Sequence, residues 1–170
     1  KANAVAAKFG IDSVYARLED MLQQVPRQAV WDVAVPGAAL PEVLQQLPTG
    51  AAVLMQKPMG EDLAAARKIL QVCREKKFTA GVNFQLRYAP FVVEARKMID
   101  AGVIGTLTDI EVHVTVHTPW QLWKFLYTAP RVEILYHSIH YIDLVRSFLG
   151  NPGSVYAKTL KPPAMKELAS

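Results

Sequence analysis

Four short runs in this sequence combine residue types that could move a proton or hold a polar ligand. The first is Gln56-Lys57-Pro58, directly after an apolar run over 51–55 that reads as a strand. In an open parallel sheet, ligands sit beyond the carboxyl ends of the strands. A lysine there can donate a hydrogen bond or a proton to a carbonyl or alkoxide oxygen, and Pro58 fixes the backbone that aims it. Taken alone, such a lysine is more often an exposed turn residue. The second run is Tyr136, His137, His140 and Asp143, whose spacings place them on one face of a helix predicted over 133–149. A histidine beside a carboxylate can be held in one tautomer and exchange protons near neutral pH. Taken alone, a helical His-Asp pair is more often a structural hydrogen bond. His137 and His140 have metal-ligand spacing, but no H-E-x-x-H run or cysteine pair completes a zinc site, so no metal is expected. The third run holds Asn83, Gln85 and Arg87, which alternate past another strand end and could equally satisfy local backbone. The fourth, Trp120, Trp123 and Phe125, could wall a pocket, stack on a sugar or form a subunit interface.

The elements that must position these residues can be read from periodicity. Helices are predicted over 1–9, 18–25, 41–47 and 61–76, the last with Leu63, Ala66, Ile69, Leu70 and Cys73 at spacings of three and four. Strands are predicted over 30–35, 51–55 and 78–84, the first two as compact, fully buried apolar runs. Strand and helix in alternation, with short connections, mean parallel strands joined by crossover helices. The pattern then changes. A helix over 90–101 precedes a strand-like stretch at 107–117, where Ile110, Val112, Val114 and Val116 alternate with polar residues. Strict alternation indicates a sheet covered on one face only. A domain boundary is therefore placed near residue 87. The aromatic loop, the helix over 133–149 and a strand over 154–160 follow.

Composition narrows the function classes. The chain has 170 residues, 51% of them hydrophobic, which is enough to build a real core. No apolar stretch approaches the roughly 20 residues needed to span a bilayer, so no membrane role is expected. Nineteen Lys and Arg against fifteen Asp and Glu give +4, but the charges are scattered. A nucleic-acid binder concentrates its positive charge on one face, so no nucleic-acid partner is expected. The single cysteine, Cys73, cannot form an internal disulfide, and a reducing, cytoplasmic setting is the default. The pattern opens on a helix with no strand before it and closes one strand after another helix. It reads as the middle of a longer chain.

The order of the runs carries more than any one of them. Val-Ala-Val-Pro ends the first strand, then come Gln-Lys-Pro-Met-Gly, Asn-Phe-Gln-Leu-Arg-Tyr-Ala-Pro, and His-Tyr-Ile-Asp within a helix. This ordered set resembles the glucose–fructose oxidoreductase/inositol dehydrogenase (Gfo/Idh/MocA) family of NAD(P)-dependent oxidoreductases, from near residue 1 to about 160. The resemblance implies an α/β chain. Residues 1–87 would be the C-terminal half of a Rossmann domain, and 88–170 the start of an α/β domain with a mostly antiparallel sheet. It implies NAD or NADP as cofactor, a small sugar, cyclitol or related polyol as substrate, and a homo-oligomer. Lys57 would polarise the substrate oxygen and His140 accept its proton, with Tyr136 and His137 in support. Pro36, Gly37, Gln56, Lys57, Pro58 and Gln85 would border the cofactor; Arg87, Tyr88, Trp120 and Trp123 would meet the substrate. A binding or regulatory protein without turnover, on the same fold, is the alternative.

Several positions depart from the family pattern. The glutamate of its Glu-Lys-Pro motif is Gln56 here, and a histidine common after the first strand's proline is Leu40. The aspartate that often lies four residues before the helical histidine is Tyr136, and Glu133 lies seven before it on roughly the same face. No G-x-G-x-x-G run occurs, so the pyrophosphate-binding loop and the residue that separates NAD from NADP are not in this sequence. The polypeptide by itself is expected to bind a dinucleotide poorly.

Overall fold

The computed structural model describes residues 2–26, 28–119, 122–161, 163 and 165–167. The chain divides into two compact units, Lys1–Gly81 and Val82–Ser170. The first unit begins with α1 (Ala2–Phe9) and α2 (Leu18–Gln24), followed by β1 (Val30–Val33), α3 (Leu40–Gln46), β2 (Ala52–Met55), α4 (Leu63–Glu75) and β3 (Thr79–Val82). The strands lie in the order β1-β2-β3, and β1 pairs with β2 in parallel with Val30 opposite Ala52 and Val33 opposite Met55. Each helix between strands is thus a crossover, as the alternating pattern predicts.

Packing explains which residues each element buries. Trp31 and Val33 of β1, Val53 and Met55 of β2, Leu40 and Leu44 of α3, and Ile69, Val72 and Cys73 of α4 are all buried. Leu40 is only 1% exposed. Filling the core is therefore what this leucine does at the position where the family often carries a histidine. The expectation that β1 is buried on both faces does not hold. Its burial alternates, with Val30 72% exposed. Val30 and Asp32 point to the opposite face of the sheet from Trp31 and Val33, and that face is left uncovered along this strand.

The helix ends have local causes. Asp62 caps α4 by accepting a hydrogen bond from the Ala65 backbone N–H at 2.7 Å. Gly60, just before it, has φ +82°, and a Cβ there would lie 2.8 Å from the Ala65 Cβ and 3.0 Å from the Ala66 nitrogen. Both neighbours are fixed to a helix and cannot swing away. Gly60→Ala is therefore expected to cost about 2–4 kcal/mol, combining left-handed strain with overpacking. Urea unfolding of the chain measures it, and a loss under about 1 kcal/mol would contradict the steric argument.

The second unit contains a 3₁₀ turn at Gln85–Tyr88, α5 (Pro90–Asp100), a second 3₁₀ turn at Lys124–Tyr127, a π-helical turn at Ile134–Ser138 and α6 (Ile139–Leu149). Arg96 of α5 donates to the Ser147 carbonyl at 3.3 Å and its hydroxyl at 3.1 Å, and its guanidinium lies over the Phe148 ring at 4.4 Å. Leu126, Ala129, Val132 and Tyr136 form a small apolar cluster. The strands predicted over 107–117 and 154–160 are not formed, so the antiparallel sheet expected here is absent among the described residues. The sheet that does form is the parallel one. Alternation of side chains marks which row would be covered, but a strand takes its hydrogen bonds from a neighbouring backbone. Neither segment joins a sheet among the described residues, and Val112, Val114 and Val116 stay exposed.

Candidate active site

In the first unit the lysine run follows β2 directly. The β1–β2 ladder continues one residue past the strand, with the Gln56 N–H donating to the Val33 carbonyl at 3.1 Å. The Gln56 side-chain amide donates to Asp32 Oδ1 at 3.2 Å. An amide can make this contact where a glutamate would face a like charge. Lys57 is half-buried, and the loss of water around its ammonium pushes its pKa below the ordinary lysine value. The Lys57–Pro58 peptide is cis. Pro58 and Gly37 are both buried, and a Cβ built on Gly37 would lie 3.5 Å from the Pro58 ring and from Glu61 Cγ. The turns after β1 and β2 thus touch at the carboxyl end of the parallel strands, where this class of sheet binds ligands. Pro36, Gly37, Gln56, Lys57 and Pro58 are brought together there.

In the second unit His140 occupies the first turn of α6. Its ring meets Phe84 edge-on, with centroids 6.3 Å apart. Together with Gln85, Leu86, Val116, His137 and Tyr141, it lines a cavity of about 190 Å³. Gln85, His137 and His140 are therefore brought to one place. Of the other predicted residues that the structure describes, Arg87, Tyr88, Trp123 and Tyr136 do not line it. Asp143, only 6% exposed, accepts from Arg87 Nε at 2.6 Å and from Arg87 Nη2 at 2.5 Å. This bidentate pair corrects the expectation that Asp143 partners the histidine, because both carboxylate oxygens serve the guanidinium. It holds Arg87 even further above the ordinary guanidinium range. Tyr136 lies in the apolar cluster, its ring 5.7 Å from that of Phe125. Tyr88 and Trp123 are exposed at the surface, and Trp120 lies outside the described residues.

By spacing Glu133 lies on roughly the same helical face as His140, but its carboxylate turns to His137. Oε2 lies 3.0 Å from His137 Nδ1, and Oε1 accepts from the Ser138 hydroxyl at 3.1 Å. The spacing of four between Glu133 and His137 was a legible signal. The contact to Ser138 was not, because it depends on the π turn. Among the described residues, no group of three or more His, Cys, Asp or Glu is placed to hold a metal ion, and no helix is long and apolar enough to cross a membrane.

These features place the chain in a class, the Rossmann-like α/β proteins, and comparison with known proteins agrees. WlbA dehydrogenase from Bordetella pertussis, solved in complex with NADH and UDP-GlcNAcA, superposes with a TM-score of 0.67 at 23% identity. The match covers 88% of this chain and 44% of that one. Residues 1–84 match the oxidoreductase family with an NAD-binding Rossmann fold, and residues 92–165 match the GFO/IDH/MocA C-terminal domain. The chain belongs to the Gfo/Idh/MocA oxidoreductase family. Among curated proteins, it is 31% identical over 117 residues to inositol 2-dehydrogenase of Rhizobium meliloti, covering 64% of this chain and 32% of that protein. It is 29% identical over 91 residues to D-xylose 1-dehydrogenase [NADP(+)] of Haloarcula marismortui, covering 54% and 25%. The chain spans less than half the length of the curated relatives it matches.

Proposed function

We propose that this chain serves an NAD(P)-dependent oxidoreductase that moves a hydride between nicotinamide and a carbon of a sugar, cyclitol or related polyol. The observation that carries the reading is Lys57, half-buried past the carboxyl end of a parallel strand beside the Gly37 turn. Residues 1–87 form the dinucleotide unit in this reading, and 88–170 the substrate and oligomerisation unit of a homo-oligomer in a reducing, cytoplasmic setting. The loops after β1 and β2 fit a nicotinamide cofactor: Gly37 and Pro58 pack closely there, and Gln56 offers an amide group. When bound, that cofactor takes or gives the hydride.

The protein's own residues manage the rest. Lys57 donates a hydrogen bond to the substrate oxygen and stabilises the charge that builds there. His140 accepts the hydroxyl proton during oxidation and returns it during reduction. His137, in the same cavity, supports that exchange. Tyr88, Trp120, Trp123 and the exposed side of Arg87 meet the sugar. The test incubates the protein that contains this chain with NAD⁺ or NADP⁺ and a panel including myo-inositol and D-xylose, and follows reduced nicotinamide. Reduction with at least one polyol is expected. Cofactor binding without turnover across a broad panel would overturn the reading and favour a non-catalytic binding role.

A further inference from the structure

The turn that carries the histidines is not a regular α-helix. Within Ile134–Ser138 the backbone closes with a π-type bond, the Ile139 N–H reaching the Ile134 carbonyl five residues back. Such turns insert an extra residue into a helix and change which side chains stack. On an α-helix Glu133 would stand over His137 and, one turn further, His140. With the wider turn its carboxylate spans His137 and Ser138 instead, one oxygen to each. Glu133 is mostly exposed, yet two bonds from one turn fix how its carboxylate points.

A carboxylate only accepts hydrogen bonds, so a ring nitrogen facing it must carry the hydrogen. With Nδ1–H pointing at Glu133, the basic lone pair of the neutral ring is on Nε2. His137 and His140 line the same cavity, three residues apart. We infer that Glu133 is a positioning residue that holds His137 as a Nδ1–H imidazole, and that His137 is thereby the second proton acceptor of the His140 cavity. The inference deepens the oxidoreductase reading and rests on it for the catalytic step. In oxidation, the carbinol carbon loses its hydride to nicotinamide while the hydroxyl proton goes to His140, leaving a carbonyl. His140 passes that proton across the cavity to Nε2 of His137, which releases it to water. One hydride reaches the cofactor, one proton reaches solvent, and both imidazoles return to neutral. The family position before His140 that often holds an aspartate holds Tyr136 here, packed in the apolar cluster, so the supporting carboxylate enters from a different residue.

The experiment has two arms. The first records long-range ¹H–¹⁵N correlations of the histidine rings in the protein that contains this chain, at a pH where imidazole is neutral. His137 is expected as the Nδ1–H tautomer, shifting toward Nε2–H in Glu133→Ala, which leaves no acceptor at that position, while the Phe125 and Tyr136 resonances stay in place. A wild-type Nε2–H ring at His137, or a tautomer indifferent to Glu133→Ala, overturns the inference. The second arm measures NAD(P)-linked polyol oxidation by the protein containing the chain. Glu133→Ala is expected to lower kcat at least about tenfold, with KM little changed and partial recovery in Glu133→Asp. Unchanged kcat, with the tautomer as expected, overturns the relay. A wild-type protein that shows the Nδ1–H ring but no turnover supports the Glu133 clamp and refutes the oxidoreductase reading, so the two failures are distinct.

Discussion

Lys57→Ala is expected to lower turnover of the proposed NAD(P)-linked reaction by about 10²- to 10⁴-fold, the range a positioned acid–base group contributes, while cofactor binding stays measurable. The side chain is half-buried, so alanine removes a charge-stabilising donor that bulk water replaces poorly. Lys57→Arg separates the charge from its placement. Arginine keeps a positive donor but presents it on a larger planar fork, so binding persists and turnover recovers only in part. Turnover equal to wild type in Lys57→Ala would remove Lys57 from the mechanism. A pH signature accompanies the residue. Burial lowers its pKa below the ordinary 10.5, so between the two values the unfolded chain binds more protons than the folded one. Stability of the wild type therefore rises with pH through that window. In Lys57→Met this contribution to the slope disappears, which unfolding at a series of alkaline pH values will show.

The second large effect is an asymmetry within one ion pair. Removing Arg87 leaves the Asp143 carboxylate, whose side chain is 8% exposed, without its guanidinium. Stranding a buried charge costs about 3–5 kcal/mol. Removing the acid instead leaves Arg87, 42% exposed, which water can still hydrate. Asp143→Asn is then expected to cost about 1–2 kcal/mol. Arg87→Ala should accordingly destabilise the chain more than Asp143→Asn in urea titrations followed by circular dichroism. The reverse order would mean that the pair is anchored from the arginine side. The pair also joins the turn that carries Gln85 to the helix that carries His140, so Arg87→Ala is expected to loosen the cavity both residues line.

Local chemistry made part of this architecture readable from the residues. Helix α4 was legible because Leu63, Ala66, Ile69, Leu70 and Cys73 recur at spacings of three and four, whereas its start at Leu63, set by the Asp62 cap, falls two residues later than predicted. Strands β1 and β2 were legible because apolar runs end in Pro36-Gly37 and Lys57-Pro58, which stop a ladder. The position of Lys57 beyond a strand end followed from the same reading. The segment over 107–117 misled for a reason internal to sheets: period two reports a covered face, whereas the pairing partner is a property of another stretch of chain. The carboxylates misled differently. Helical spacing places Asp143 and Glu133 near His140 but does not say which cation or imidazole reaches them first. Arg87 comes from a distant turn, and a π turn is invisible to a count of three and four.

Cys73 gives the chain a built-in reporter. It is the sole thiol, sunk on the inner side of α4, and burial pushes its pKa up, so the folded state withholds the thiolate that a labelling reagent attacks. Reaction can proceed only through opening of the first unit. Labelling kinetics in Gly60→Ala and the wild type would therefore time the loosening of one half of the molecule without any added tag, while the other half stays silent.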